Sequence, residues 1–288
     1  MKSLRYMIIS GSILLMLPSG YAQVVTPLHI TTESVILDEF GQALEGTASE
    51  PGDLVQVLRA DSGILPPLKD GRPDSSNPLV SDGTAGIGQF MPRSQARPGK
   101  FGHCIGGSSR PGNTAKLFVR VFNAPTLVES SFYEDSEVVT VDGNKVLLVN
   151  IARTVKPLDP DDDDGDGLNN SYEKSYDSNP TNPDTDGDGM LDGAEHLAGT
   201  DLKSRSSVLQ MARINGISGG KVVVEWDSVP GKFYKIQRAL SPDLSQGFAD
   251  VEGLGEKIPA ASDAAVTAVE VPDPGEGIGF YRVKLVVE

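Results

Sequence analysis

Cysteine is almost absent from the chain: among 288 residues, Cys104 is the only one. A single cysteine excludes an intramolecular disulfide framework and a zinc site made of four thiolates. Basic residues are also few, with 25 Lys and Arg against 40 Asp and Glu and a net charge of −15. This balance argues against nucleic acid as a partner, because its phosphates and an acidic chain repel each other.

Long apolar runs are missing as well, apart from residues 6–17. Lys2 and Arg5 open this region, and small residues precede a cleavage point at Gln23, which is typical of an export signal over residues 1–22. The apolar run is about a dozen residues long, whereas a bilayer span needs about 20. We therefore expect a secreted protein, extracellular or at the cell surface, with the periplasm as the alternative. After cleavage of the signal, no transmembrane segment is expected.

The negative charge is concentrated in one stretch of the chain. Residues 159–201 hold fourteen acidic residues and a single basic residue, Lys174. This change in composition predicts three segments after the signal: an N-terminal domain over 23–156, an acidic segment over 157–203 and a C-terminal domain over 204–288. The 32 Gly and 20 Pro predict many turns.

Strand-like runs occur in both outer segments. They lie at residues 29–32, 54–58, 116–122 and 146–151, and again at 208–214, 222–226, 233–238 and 280–287. Alternation is clearest where Leu117, Val119 and Val121 share one face of a strand. The turn sequence Asp142-Gly143-Asn144 predicts a hairpin between residues 138–141 and 146–151.

The remaining parts of the outer segments complete the predicted fold. Residues 62–113 are rich in Gly, Pro and Ser, which predicts a long loop that is either elaborated or partly disordered. The C-terminal segment has several short strands separated by turns, the pattern of a small β-sandwich with Trp226 as its core anchor. The predicted fold is mainly β, with two β-sandwich-like domains joined by an irregular segment with short helices.

Two stretches of the acidic segment match the twelve-residue calcium loop. Each has Asp at positions 1, 3 and 5, Gly at 6, a carbonyl donor at 7, an oxygen-bearing side chain at 9 and Glu at 12. The candidate ligands in the first loop are Asp162, Asp164, Asp166, Leu168, Asn170 and Glu173. The candidate ligands in the second loop are Asp184, Asp186, Asp188, Met190, Asp192 and Glu195.

This arrangement of residue types suits Ca²⁺ at two sites. Alternate short carboxylates converge as the loop folds around the ion, Gly permits the sharp turn, and Glu closes the shell with two oxygens. Zinc and copper are disfavoured because no Cys or His stands at a ligand position. Magnesium fits less well, since the loop offers more oxygens than an octahedral ion takes. The alternative of a solvated acidic linker does not explain why the pattern recurs with Gly in place both times.

Residues 184–195, with the sequence DTDGDGMLDGAE, resemble the bacterial thrombospondin type 3-like calcium repeat, a variant of the EF-hand loop. The resemblance covers residues 159–203 and implies ligation by the residues named above, with a short helix after each loop. The C-terminal segment, with Val229-Pro230-Gly231-Lys232 and a closing Phe280-Tyr281-Arg282-Val283, is similar to small fibronectin-III-like domains.

The expected function follows from these loops. Without metal, the clustered carboxylates repel each other and bury little apolar area, so we expect a disordered segment that calcium converts into a spacer between the β domains. The leading hypothesis is a secreted, non-catalytic calcium-binding protein with a structural or adhesive role. One alternative is a module that binds a glycan or an extracellular protein through its N-terminal domain, including dockerin-like pairing. A secreted hydrolase is the less favoured alternative, since the acids concentrate where calcium explains them.

Overall fold

The computed structural model describes most of the chain. The described residues are 7–9, 12–15, 23–25, 27–32, 34–46, 52–87, 98–106, 109–143, 146–215, 220–240, 247–262, 265–272 and 279–287. They form two compact units, Met1–Pro160 and Asp161–Glu288. The structure is mainly β, as the sequence predicts, and the helices among the described residues are short and lie in the acidic segment. Neither helix among these residues has the length and apolar content needed to cross a bilayer.

The first unit begins with a small antiparallel sheet. Its strands are β1 (Met7–Ile9), β2 (Ser12–Leu15) and β3 (Gln23–Val25), in the order β1-β2-β3. They lie in and just after the predicted export signal, 1–22, which stays a prediction.

Two further sheets of the first unit enclose its core. The strands are β4 (Leu28–Thr32), β5 (Leu54–Arg59), β6 (Leu79–Gly86), β7 (Gly102–Ile105), β8 (Lys116–Phe122), β9 (Phe132–Asp135), β10 (Val139–Thr140), β11 (Val146–Val149) and β12 (Lys156–Pro157). The larger sheet has the order β12-β9-β8-β5-β6 with β10 paired to β8, and the smaller has the order β11-β4-β7. Side chains from both sheets form one buried apolar cluster, which gives the unit its sandwich character.

Strand β8 shows how the sequence pattern produces this packing. Leu117, Val119 and Val121 join the main core, as their alternation predicts. Phe118 and Phe122, on the other face, are also 0% exposed and belong to two smaller apolar clusters. Strand β8 is therefore covered on both faces, which fits its place in the middle of the larger sheet.

The predicted hairpin around Asp142-Gly143-Asn144 is wrong. Asp142 and Gly143 do have positive φ angles, 41° and 70°, as such a turn requires. However, β10 pairs with β8 in the larger sheet, whereas β11 pairs in parallel with β4 in the smaller one. The chain therefore passes from one sheet to the other at this turn.

The expectation of a long loop over residues 62–113 also needs correction. This stretch contains β6, which pairs with β5, and β7, which pairs with β4. Strand β6 includes Gly83, where a Cβ would lie 2.8 Å from the Val57 carbonyl oxygen, so only Gly allows the neighbouring backbone to approach. Glycine there weakens the strand signal in the sequence. Residues 88–97 and 107–108 lie outside the described residues.

The second unit contains both helices and the C-terminal strands. The elements are α1 (Asn170–Tyr176), α2 (Asp192–Ala198), β13 (Met211–Asn215), β14 (Lys221–Asp227), β15 (Phe233–Ala239), β16 (Ala249–Asp250), β17 (Ile258–Pro259), β18 (Val266–Pro272) and β19 (Phe280–Val286). One sheet has the order β13-β14-β18, and the other the order β16-β15-β17 with β19 paired to β15.

Trp226 lies in the core of the second unit and is 2% exposed. Its ring meets the ring of Tyr234, from the other sheet, edge-on with the centroids 5.7 Å apart, as expected of a core anchor.

Candidate metal centre

The first loop, residues 162–173, folds so that its Asp carboxylates converge. One oxygen from each of Asp162, Asp164 and Asp166 lies within 4.8 Å of the others. The backbone is turned by Asp162, whose Oδ1 accepts the Gly165 amide at 2.8 Å and whose Oδ2 accepts the Gly167 amide at 3.1 Å. Both glycines have positive φ angles, 77° and 96°, which a residue with a Cβ rarely adopts.

The second loop, residues 184–195, repeats this geometry. Oxygens of Asp184, Asp186 and Asp188 also lie within 4.8 Å of one another. Asp184 accepts the Gly187 amide at 2.8 Å through Oδ1 and the Gly189 amide at 3.0 Å through Oδ2. The same local rule therefore shapes both loops: the first Asp hydrogen-bonds the backbone three and five residues further on.

Several carboxylate oxygens in these loops are buried without a hydrogen-bond donor in the described part of the chain. They are Asp164 Oδ2, Asp186 Oδ2, Asp188 Oδ2, Glu195 Oε2 and both oxygens of Glu173. Each buried acceptor left in this state costs about 1–3 kcal/mol, and more when it is charged. A cation bound among them would satisfy these oxygens together, and every donor atom in the set is an oxygen, which fits Ca²⁺.

The position-12 glutamates are the most perturbed acids of the two loops. Glu173 and Glu195 are each 0% exposed. Burial, followed by repulsion from Asp164 and Asp166, raises the pKa of Glu173 to about 7. Burial likewise raises the pKa of Glu195 to about 7, against a hydrogen bond from Thr200 that lowers it. Such shifts mark sites where burial and neighbouring negative charge both disfavour the ionised carboxylate.

The residues at position 7, Leu168 and Met190, are hydrogen-bonded to the Asp at position 5 of their own loops. The Leu168 amide donates to Asp166 Oδ1 at 2.7 Å, and the Met190 amide donates to Asp188 Oδ1 at 2.8 Å, so both residues follow the ligand loop closely. Ligation by their carbonyls stays a prediction.

The position-9 oxygens, by contrast, are engaged within their own loops. Asn170 Oδ1 accepts the Asp163 amide at 3.2 Å. Asp192 accepts the Thr185 amide at 2.8 Å and the Thr185 hydroxyl at 2.6 Å. Asn170 and Asp192 are therefore hydrogen-bonded to the second residue of their loops, Asp163 and Thr185, and their ligation of an ion stays a prediction.

Each helix begins within the last four residues of its loop. Asn169 caps α1 by accepting the Tyr172 amide at 3.1 Å, and the C-terminal cap of α1 is Asp177, which has a φ of 58°. The C-terminal cap of α2 is Gly199, which has a φ of 80°. Each helix thus starts within its loop and carries the position-12 Glu, which holds that carboxylate over the loop.

The two repeats also contact each other. The Gly193 amide of α2 donates to Asp166 Oδ2 of the first loop at 2.7 Å. His196 of α2 packs against Tyr172 and Tyr176 of α1, with ring centroids 5.0 and 5.4 Å apart. Sequence reasoning missed these contacts, because loop spacing gives ligands and says nothing of how one repeat meets the next.

Two basic side chains from outside the loops donate hydrogen bonds to backbone carbonyl oxygens of the second repeat. Arg205 Nε donates to the Asp186 carbonyl oxygen in the second loop. Lys232, from the turn before β15, donates to the Leu197 carbonyl oxygen at the end of α2, with an Nζ–O distance of 2.7 Å. The second repeat is therefore packed against the C-terminal strands within one unit.

Comparison with known proteins agrees with the sequence pattern. Residues 162–183 and 184–201 each match the family described as Bacterial TSP3 repeat, which confirms the resemblance to a thrombospondin type 3-like repeat. The similarity of the C-terminal segment to fibronectin-III-like domains stays a prediction. No curated protein matches the chain.

Among solved structures, one match is described as "Biofilm associated protein - BSP domain". It is 14% identical, has a TM-score of 0.20 and covers 91% of this chain and 51% of that chain. The chain therefore spans about half the length of that protein.

Proposed function

We propose that the chain binds two calcium ions, one in each loop, and that this binding orders residues 161–203. The observation that carries the proposal is the set of buried carboxylate oxygens that lack a donor, three in each loop among the described residues. Two matches to a calcium-type repeat support the same ion. In each site the Asp triad and the position-12 Glu would hold the ion, whose positive charge offsets their mutual repulsion.

The magnitude of the effect favours a structural role. Extracellular calcium modules bind with dissociation constants of about 10⁻⁴–10⁻³ M. At about 1 mM calcium and the tighter limit, each site adds about 1.4 kcal/mol to folding stability. This energy is on the scale of structural stabilisation, whereas calcium buffering would need much tighter sites. We propose a non-catalytic protein that acts outside the cytoplasm in adhesion or in an extracellular structure.

Hydrogen–deuterium exchange with and without calcium tests the ordering. With calcium, the amides of α1 and α2 should exchange at least tenfold more slowly than in chelator, because metal binding to such loops is local folding. The amides of β5 and β8 in the first unit serve as an internal control and should not change. Equal exchange of α1 and α2 in both conditions would overturn the proposal.

We also propose that the ordered repeats act as a calcium-dependent spacer between the strands that precede and follow them. Small-angle scattering of the full chain tests this. In calcium the distance distribution should have one well-defined maximum dimension. In chelator the distances should spread over a wider range, since a disordered linker samples many lengths. An Asp162→Ala/Asp184→Ala variant should behave in calcium as the unaltered chain does in chelator. An identical distance distribution in both conditions would reject the spacer while leaving calcium binding intact.

A further inference from the structure

Gly193 lies where the second repeat touches the first. Its amide donates to Asp166 Oδ2 at 2.7 Å. A Cβ at this position would meet the Asp166 carbonyl oxygen at 2.5 Å and the Leu168 amide nitrogen at 3.0 Å. These are backbone atoms, which cannot swing aside as a flexible side chain could. The close approach of α2 to the first loop therefore depends on the absence of a side chain at residue 193.

The two loops differ at this contact. Asp166 and Asp188 both occupy position 5, yet Asp166 Oδ2 receives the Gly193 amide, while Asp188 Oδ2 has no donor among the described residues. The residue of the first repeat that corresponds to Gly193 is Ser171. The repeats are alike in sequence, but only the first has one of its position-5 oxygens held by its neighbour. The second repeat therefore supplies a hydrogen bond to the first site, and among the described residues the first repeat supplies none to the corresponding oxygen of the second site.

We propose that the second repeat forms part of the first calcium site through Gly193, so that the two sites bind calcium as a coupled pair. This inference rests on the proposed function, since it assumes that both loops bind the ion. Calcium in the second loop fixes α2, and α2 in turn holds Asp166 in its ligand position. Coupling of this kind is reciprocal: each ion strengthens the binding of the other by the same factor.

Gly193 allows a sharp test because helix propensity and packing predict opposite effects. Ala is a better helix former than Gly, so Gly193→Ala should help an isolated α2. Steric contact with the first loop should instead weaken calcium binding at the first site. Ala194→Gly is the matched control: it lowers the helix propensity of the exposed neighbour and adds no contact.

The experiment follows each site separately by ¹⁵N NMR during a calcium titration of the metal-free full-length chain. The amides of Gly167 and Gly189 serve as reporters, since each donates to the first Asp of its own loop. Asp184→Ala should raise the calcium midpoint of Gly167 about fivefold or more, and Asp162→Ala should raise that of Gly189 by an equal factor. With Gly193→Ala present, these shifts should disappear.

The outcomes separate the coupling from the calcium binding on which it rests. If Asp184→Ala leaves the Gly167 midpoint within twofold, or if the shift survives Gly193→Ala, the coupling through Gly193 is wrong, although both sites still bind. An Ala194→Gly variant that loses coupling as Gly193→Ala does would also overturn it. If Gly193→Ala does not fold, the Asp→Ala shifts in the otherwise unaltered chain still test the coupling, and midpoints that stay within twofold would overturn it. If neither reporter moves in the unaltered chain, the proposed function itself fails.

Discussion

Glu173 and Glu195 close their loops with carboxylates that have almost no contact with water. Burying an anion is unfavourable unless a cation or several donors accompany it. Each Glu sits on a short helix above an Asp triad, and the pKa of each is raised to about 7. At the scale of single residues, these two acids should therefore control the strength and pH dependence of calcium binding.

Removing one of these charges gives the first prediction. Glu173→Gln should lower calcium affinity at the first site by about tenfold or more, because an amide supplies one neutral oxygen where the ion takes two charged ones. Asp163→Asn is the matched control, since it removes the same charge from an exposed residue of the same loop. It should change the affinity by less than about threefold. Calorimetric titration of both variants checks this, and equal losses would mean that net charge alone attracts calcium.

Proton competition gives the second prediction. A carboxyl group with a pKa of about 7 in the metal-free loop must lose its proton to bind calcium, so the affinity falls as the pH drops through 7. Between pH 8 and pH 6 the decrease should be about tenfold at each site. Without calcium the sign reverses: the protonated loops are more stable at pH 6, and this stability is lost as the pH rises through 7. Glu173→Gln should remove the pH dependence of the first site, and a flat profile in the unaltered chain would contradict the raised pKa values.

Much of the site could be predicted from the sequence at this scale, because the ligand positions are set by local spacing. The Asp triads and the Gly turns follow directly from the order of residues in each loop. Gly193 could not be assigned a role in this way, since its contact with Asp166 spans two repeats. A hint was present in the sequence, because Ser171 stands where the second repeat has Gly193.

At the scale of elements, strands are harder to predict from the sequence than the calcium loops, because a strand pairs with partners that are distant in sequence. Strand β18 shows one cause of failure: its inward-facing residues include Thr267, whose hydroxyl donates to the Ser228 hydroxyl at 2.7 Å inside the core. A polar residue on the buried face hides the alternation. Strand β11 shows another, since its partner β4 lies more than a hundred residues earlier.

A buried ion pair in the first unit gives the prediction at the scale of elements. Arg120 of β8 donates to Asp135 of β9 through Nε at 2.6 Å and Nη2 at 2.9 Å, and Nη2 also donates to the Leu65 carbonyl oxygen at 2.7 Å. The two side chains are 0% and 5% exposed. Asp135→Asn should destabilise the unit by about 3 kcal/mol, because it leaves a buried guanidinium without its counter-charge.

Denaturant unfolding of the full chain measures this effect. The exposed pair of Arg72 and Asp70 has the same 2.6 Å separation and serves as the control. Asp70→Asn should leave the unfolding midpoint unchanged, because exposed ion pairs are screened by water. Similar shifts for the two variants would show that burial does not determine the value of the Arg120 pair.

At the scale of the whole molecule, the chain forms two units, and the acidic repeats belong to the second. Composition alone predicted a separate acidic segment over 157–203. Contacts such as Lys232 with the Leu197 carbonyl oxygen, at 2.7 Å, instead pack the second repeat against the C-terminal strands. Lys232 is a long side chain that reaches the end of a helix, and no sequence pattern predicts such a contact.

This packing predicts that calcium stabilises the C-terminal strands as well as the loops. Saturating calcium should raise the unfolding temperature of the second unit, since ligands that bind only the folded state stabilise it by mass action. Lys232→Met keeps the apolar stem and removes the hydrogen bond to Leu197, and it should reduce this increase. Scanning calorimetry checks both. An increase that is unchanged in Lys232→Met would mean that the contact does not transmit the effect.

The most direct measurement of the central claim is a calorimetric titration of calcium into the metal-free full chain, repeated with Asp184→Ala. We predict two bound ions per chain, falling to one in the variant, because each loop gathers buried carboxylate oxygens that only a cation satisfies. A chain that binds no calcium at millimolar concentration, or a variant that still binds two ions, would contradict the account.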